Sequence, residues 1–286
     1  MPIHYFPLTI ASTKKSIRLA DSISRLRVDS ARVRKLIGIR EVTLSGTGLV
    51  SSISYKKNAA WNTWCIYLRG NLLSHNIRIQ QTNFVLATST QDDAILVSFA
   101  IKLMTGTLSG PYIGFSEDQN SIQFLHFRPY WGGHFLKLEQ SEINCLRKLL
   151  AALLKFKEKA ILTTIIELYR YAESADVSSR SLRFLQLAII LEMLFLPSQQ
   201  AELSYRFQLR VAKWFNRFYK DDVRVIADKA KSIYDMRSKI AHHGQARISD
   251  NDMNCVRDFT RRALRKYVVD PSTFSDSYLN DLCLLR

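Results

Sequence analysis

An α+β fold is predicted by a change of texture along the 286 residues. Up to about Phe127, short apolar runs rich in Val, Ile, Phe, Tyr and Thr alternate with Gly, Asn, Ser and Asp clusters, as in strands joined by turns. From Glu139 onward the apolar residues recur at helical spacing. Between them, Phe127-Arg128-Pro129-Tyr130-Trp131-Gly132-Gly133-His134 has the Pro and paired Gly of a turn or linker. The boundary is placed there. Residues 1–134 are expected to form a basic arm and a β-rich recognition or sensing domain, and residues 135–286 an α-helical bundle with a C-terminal tail.

Within the first half, residues 1–13 suit a short strand or arm. Lys14–Arg40 carries nine cations against Asp21 and Asp29. Leu19, Ile23, Leu26, Val33 and Ile37 recur there at helical spacing, which predicts an amphipathic helix with a basic outer face. That face is either solvated or a phosphate-backbone contact. Strands are expected at Val42–Leu44, Leu49–Tyr55, Trp64–Leu68, Ile77–Ala87, Tyr112–Phe115 and Ile122–Phe127; Ala94–Met104 reads as strand or helix. Trp61, Trp64, Tyr67 and Arg69 cluster as core aromatics would, or as a platform for stacking single-stranded bases.

In the second half, Leu138, Ile143, Leu146, Leu149, Leu150, Leu153 and Leu154 form one helical stripe, and Ile161, Ile165, Ile166, Leu168 and Tyr169 a second. Asp176-Val177-Ser178-Ser179 can cap the next helix. Leu182–Leu196 is apolar almost all round, as a central bundle helix is, and Pro197 ends it. Glu202–Tyr219 spaces Arg206, Arg210, Lys213 and Arg217 by three or four residues. Helices are also expected at Asp221–Ala241 and Asp250–Val268, with a short apolar one at Tyr278–Leu285.

Composition narrows the function. Hydrophobic residues make up 47% and charged residues 23%, which is ordinary for a globular chain. A net charge of +16 points to a polyanionic partner, nucleic acid before an anionic membrane. Cys65, Cys145, Cys255 and Cys283 show no Cys-x-x-Cys pairing, so neither zinc nor a disulfide framework is expected, and a reducing, cytoplasmic location fits. No apolar run reaches the roughly 18 residues of a membrane span. The N-terminus lacks the pattern of a secretory signal. His4, His75, His126 and His134 are scattered, and neither a Gly-rich phosphate loop nor Ser-His-Asp spacing occurs. No metal or other cofactor is expected.

The stretch that concentrates chemistry is Tyr234-Asp235-Met236-Arg237-Ser238-Lys239-Ile240-Ala241-His242-His243-Gly244. It sets a permanent cation, able to hold a phosphate bidentately, close to imidazoles able to move a proton near neutral pH. Upstream, Leu191-Glu192 lies in the apolar helix, followed by Glu202, Arg206 and Arg210. A carboxylate in such a helix needs a partner. Arg206 or Arg210 is expected to pair with Glu192 as a structural pin; alternatively Glu192 orients Arg237. Five helical residues turn through roughly 500°, so Arg237 and His242 would not share a face. The helix is therefore expected to loosen near Ala241, with Gly244 as its left-handed terminus.

Over about residues 141–270 these features resemble a HEPN domain, most closely the Apea-like branch. That branch shows a Leu-Glu pair in an apolar helix, spaced arginines in the next, and then Tyr-x-x-Arg-Ser-x-Ile-x-His-Gly. Tyr234, Arg237, Ser238, Ile240 and His242 fall on the pattern; His243 is inserted before Gly244, so either histidine can be the functional one. The resemblance implies a metal-independent endoribonuclease that works as a homodimer. Arg237 would hold the scissile phosphate, and His242 or His243 would act as general base or acid. Tyr234, Ser238, Lys239, Glu192, Arg206 and Arg210 would support the motif or bind RNA. By analogy it further implies a bacterial toxin or anti-phage effector with a protein activator or antitoxin. The rival expectation is a non-catalytic HEPN module for RNA or nucleotide binding, or for dimerisation.

Overall fold

The computed structural model describes residues 4–8, 10–11, 16–18, 23–27, 39–42, 52–57, 84–88, 91–105, 113–116, 121–124, 136–137, 140–156, 159–173, 179–198, 202–244 and 246–284, with side chains over most of 95–104 and 140–284. The chain divides into two compact units, Met1–Leu154 and Lys155–Arg286. The α+β class expected from sequence is corrected. Of the residues whose side chains are described, 87% are helical and none lies in a strand, so this part is all-helical. Extended runs upstream, such as His4–Leu8 paired antiparallel with Phe84–Thr88, are described in backbone alone. The basic helix expected over Lys14–Arg40 is corrected too, because Ser16–Arg18 and Ile23–Arg27 are extended and pair antiparallel. Ile-Ser-Arg-Leu-Arg suits either period, and pairing with a neighbour decides between them. The aromatic cluster Trp61, Trp64, Tyr67 and Arg69 lies outside the described residues.

Ala94–Met104 is helical, within α1 (Gln91–Thr105). Its Val97, Phe99, Ala100, Ile101 and Leu103 are buried, too many for one face, which is why periodicity alone was ambiguous. In the same unit α2 (Gln140–Leu154) packs against α1 and buries Ile143, Leu146, Leu149, Leu150 and Leu153.

The second unit is built around α4 (Arg180–Phe195), which contacts α3 (Lys159–Ala172), α5 (Leu203–Tyr219), α6 (Val223–His243) and α7 (Asp250–Val269). A helix packed on so many sides must be apolar around most of its circumference. Phe184, Leu187, Ala188, Ile190, Leu191, Leu194 and Phe195 are accordingly buried. Ser179 caps it by accepting from the Leu182 amide, and Pro197 follows its end. The α5 helix runs antiparallel-fashion into α6 through a tight turn. There Lys220 is left-handed at φ 62°, and Asp222 caps α6 by accepting from the Val225 amide at 2.9 Å. Ser249 and Asp252 form a reciprocal capping box at the start of α7.

After α7 come a single 3₁₀ turn, Pro271–Phe274, and α8 (Asp276–Leu284), which docks on α5. Phe195, Phe207, Trp214, Phe215, Phe259 and Phe274 form an aromatic core between these helices, with Phe215 stacked on Phe259 at 4.6 Å.

Candidate functional site

On α6 the residues Ile226, Ala230, Ile233, Arg237 and Ile240 follow one another by alternating steps of four and three. That is the spacing of a core-facing stripe. Four of them are buried and apolar. Arg237 is the exception: it takes a core position with its side chain 29% exposed. The bundle meets that charge with Glu192 on α4, 18% exposed, whose Oε1 lies 2.8 Å from Arg237 Nε. The Nε–H does not point along this line with hydrogen-bond geometry, so the contact is an ion pair. Tyr234, one turn earlier, packs its ring 5.8 Å from Phe207 of α5.

Glu192 therefore pairs with neither Arg206 nor Arg210, and that expectation is corrected. Arg206 lies 4.0 Å from Glu202, one turn back on its own surface. Arg210 is 1% exposed and points the other way. It donates to the Phe195 carbonyl at 2.8 Å, to Asp276 Oδ1 at 2.9 Å and to Asn280 Oδ1 at 2.7 Å. Sequence reasoning missed Asp276 and Asn280. The available signal was their four-residue spacing, which puts both on one face of a short helix.

The electrostatics of the pair are lopsided. Burial pushes the Glu192 carboxyl above its ordinary value of 4.5, and the attraction of Arg237 offsets this only in part. Burial also raises the Tyr234 phenol, and the Glu192 charge adds to that shift. Glu192 is thus expected to titrate above 4.5, and Arg237→Gln to move it higher still. A carboxyl whose pKa is raised on folding stabilises the fold fully below its unfolded pKa, and that contribution is lost as pH rises through the folded one. Carbon-detected titration of the Glu192 side chain checks this; a value at or below 4.5 would mean that the ion pair outweighs burial.

The histidines sit elsewhere. The α6 helix does not loosen at Ala241 but continues through His243, both histidines are exposed, and Gly244 terminates it at φ 76° with its amide on the Ile240 carbonyl. The glycine is needed for that left-handed turn. In a continuous helix, steps of five and six residues place His242 and His243 about 140° and 120° around the axis from Arg237. Arg237 faces α4 and the imidazoles face outward; Ser238 is half-buried and Lys239 exposed. Of the sequence-predicted residues, the fold brings together Tyr234, Arg237 and Glu192. It does not bring the histidines, Arg206 or Arg210 to that point within one copy of the chain.

Among the described residues no group of three or more His, Cys, Asp and Glu side chains gathers as a metal site would, and no helix is long and apolar enough to cross a membrane. Comparison with protein-family models, curated proteins and solved structures yields no match to this chain.

Proposed function

We propose that the helical unit is a metal-independent endoribonuclease of HEPN type. The observation that carries this reading is the Glu192–Arg237 ion pair. The two residues come from separate helices, and both were singled out by the motif resemblance. A guanidinium paired with a carboxylate is localised before any substrate arrives, and placing a cation in advance is what lets it stabilise charge developing on a phosphate. His242 or His243 takes the proton from the ribose 2′-hydroxyl, or returns one to the leaving oxygen. Attack by the 2′-oxygen on the adjacent phosphorus expels the 5′-oxygen and leaves a 2′,3′-cyclic phosphate. Because arginine and histidines occupy different faces of α6, the reading uses a homodimer in which the arginine of one copy works with a histidine of the other. RNA is the substrate, the location is cytoplasmic, and a role in bacterial defence under a protein activator or antitoxin is held by analogy alone.

The same geometry favours one rival. An arginine paired to a carboxylate, with imidazoles turned away from it, also suits a non-catalytic module that binds RNA or nucleotide, or that dimerises. Incubating the protein with mixed tRNA and unstructured RNA in excess EDTA, beside His242→Ala and His243→Ala, separates the two. The enzyme reading expects cuts ending in 2′,3′-cyclic phosphate that vanish in one of the variants. RNA binding that is lost in Arg237→Ala, with no cleavage by the wild type, establishes the module instead.

A further inference from the structure

The segment that follows the histidines is fastened to the opposite end of the helix that holds Arg237. Ser181, in the first turn of α4, donates its hydroxyl to the Ala246 carbonyl at 3.0 Å and accepts from the Ala246 amide at 3.4 Å. Its neighbour Arg180 donates Nη1 to the Ile248 carbonyl at 3.2 Å and pairs Nη2 with Asp250 at 3.1 Å. Ile248 itself is buried. These bonds tie down the backbone just past Gly244, where a left-handed residue would otherwise let α6 fray.

The register on α4 makes this more than a loop staple. Ser181 and Glu192 are eleven residues apart. In a helix that is about 16 Å of rise and a net rotation of about 20°, so both lie on one face. The same stripe of α4 thus meets α6 at Arg237 and again just beyond its histidine end. A rigid helix fastened at two points holds the His242–His243 end of α6 steady for the partner copy whose arginine it would meet.

We infer that Ser181, assisted by Arg180, is a positioning residue for the His242–His243 end of the site. This rests on the nuclease reading given above. The hydroxyl touches no substrate and acts through the backbone of Ala246. Its loss leaves Arg237 in place and lets the histidine end wander, so the effect falls on turnover and not on RNA affinity.

The test compares full-length wild type, Ser181→Ala and Ser181→Thr, which keeps the hydroxyl. Amide hydrogen exchange at Ala246, the Hε1 resonances of His242 and His243, and kcat and KM on RNA in EDTA are measured together. Ser181→Ala is expected to speed exchange at Ala246 about tenfold and to shift the histidine resonances. It should lower kcat by about tenfold or more while KM stays within about twofold. Threonine restores all of these. Unchanged exchange and unmoved resonances overturn the inference, as does a loss confined to KM. Should the wild type cleave no RNA, the nuclease reading falls, and the exchange and histidine resonances alone decide whether Ser181 fixes that end of the helix.

Discussion

If the helical unit is the nuclease proposed above, Arg237→Lys is expected to reduce RNA cleavage by at least about 10²–10³-fold while leaving the bundle folded, the scale on which losing one oriented charge donor acts in a reaction that builds up negative charge. Lysine keeps the positive charge, so a carboxylate at 18% exposure still finds a cation on α6. What disappears is the planar fork, which can pair with Glu192 and still present paired N–H groups to a phosphate. An ammonium drawn to Glu192 has no such second edge. Glu192→Gln keeps the shape of the partner and removes its charge, so it is expected to cost less, and the double variant should fall well short of the product of the two single losses because both act on one guanidinium. The readout is kcat in EDTA, with the thermal midpoint as a control for folding. Arg237→Lys cleaving at the wild-type rate would mean that the fork has no part in the chemistry.

That prediction depends on a contact that spacing within one helix does not contain. The sequence shows a carboxylate on α4 in need of a partner and several arginines downstream. It does not show which one the packing of α4 on α6 brings opposite, because register between helices is set by side-chain volumes along the whole interface. Local features were more legible. A cap within Asp176–Ser179, Pro197 as a stop and Gly244 as a left-handed terminus are each dictated by the chemistry of a residue and its neighbours. The exit of α6 was misjudged by two residues, since a capped and packed helix runs on through His243 where an isolated one would fray. The α+β class failed for a different reason. The part whose side chains are described is all-helical, and within it Ala94–Met104, which periodicity left open as strand or helix, is a helix buried on nearly every side. Arg210 shows the limit of charge patterning. It shares a three-and-four spacing with Arg206, Lys213 and Arg217, yet it alone of these is buried.

Arg210→Ala is expected to cost about 3–5 kcal/mol of folding stability, the usual penalty for removing one partner of a buried ion pair. For a domain whose total stability is on the order of 5–15 kcal/mol, that removes a large share. The guanidinium serves three acceptors at once. It satisfies the Phe195 carbonyl at the end of α4, one of the last-turn carbonyls without an intrahelical partner, and it places a positive charge at the negative end of that helix. It also binds Asp276 and Asn280 of α8. Alanine removes the guanidinium's bonds to all three and opens a cavity beside Phe195. Asp276→Asn keeps an oxygen in reach and is expected to cost less. Urea denaturation checks both; a midpoint for Arg210→Ala within error of wild type would show that water replaces the guanidinium without penalty. Because Arg210 lies away from Glu192 and Arg237, the variant should lose activity only in proportion to the fraction unfolded.

The partners of Arg210 also set an order of events during synthesis. Asp276 is made 66 residues after the arginine. At the pace of translation that is a delay of about 3–13 seconds. Throughout it, α5 can be complete, and α6 can be complete beside it, while the charge between them and the missing α8 has no carboxylate to meet. Burying it early would strand a cation in the aromatic core, so the growing chain gains little by closing the bundle around α5 before Asp276 arrives. Closure around α5 is thereby a late event in synthesis, because the Arg210–Asp276 pair cannot form before residue 276 exists.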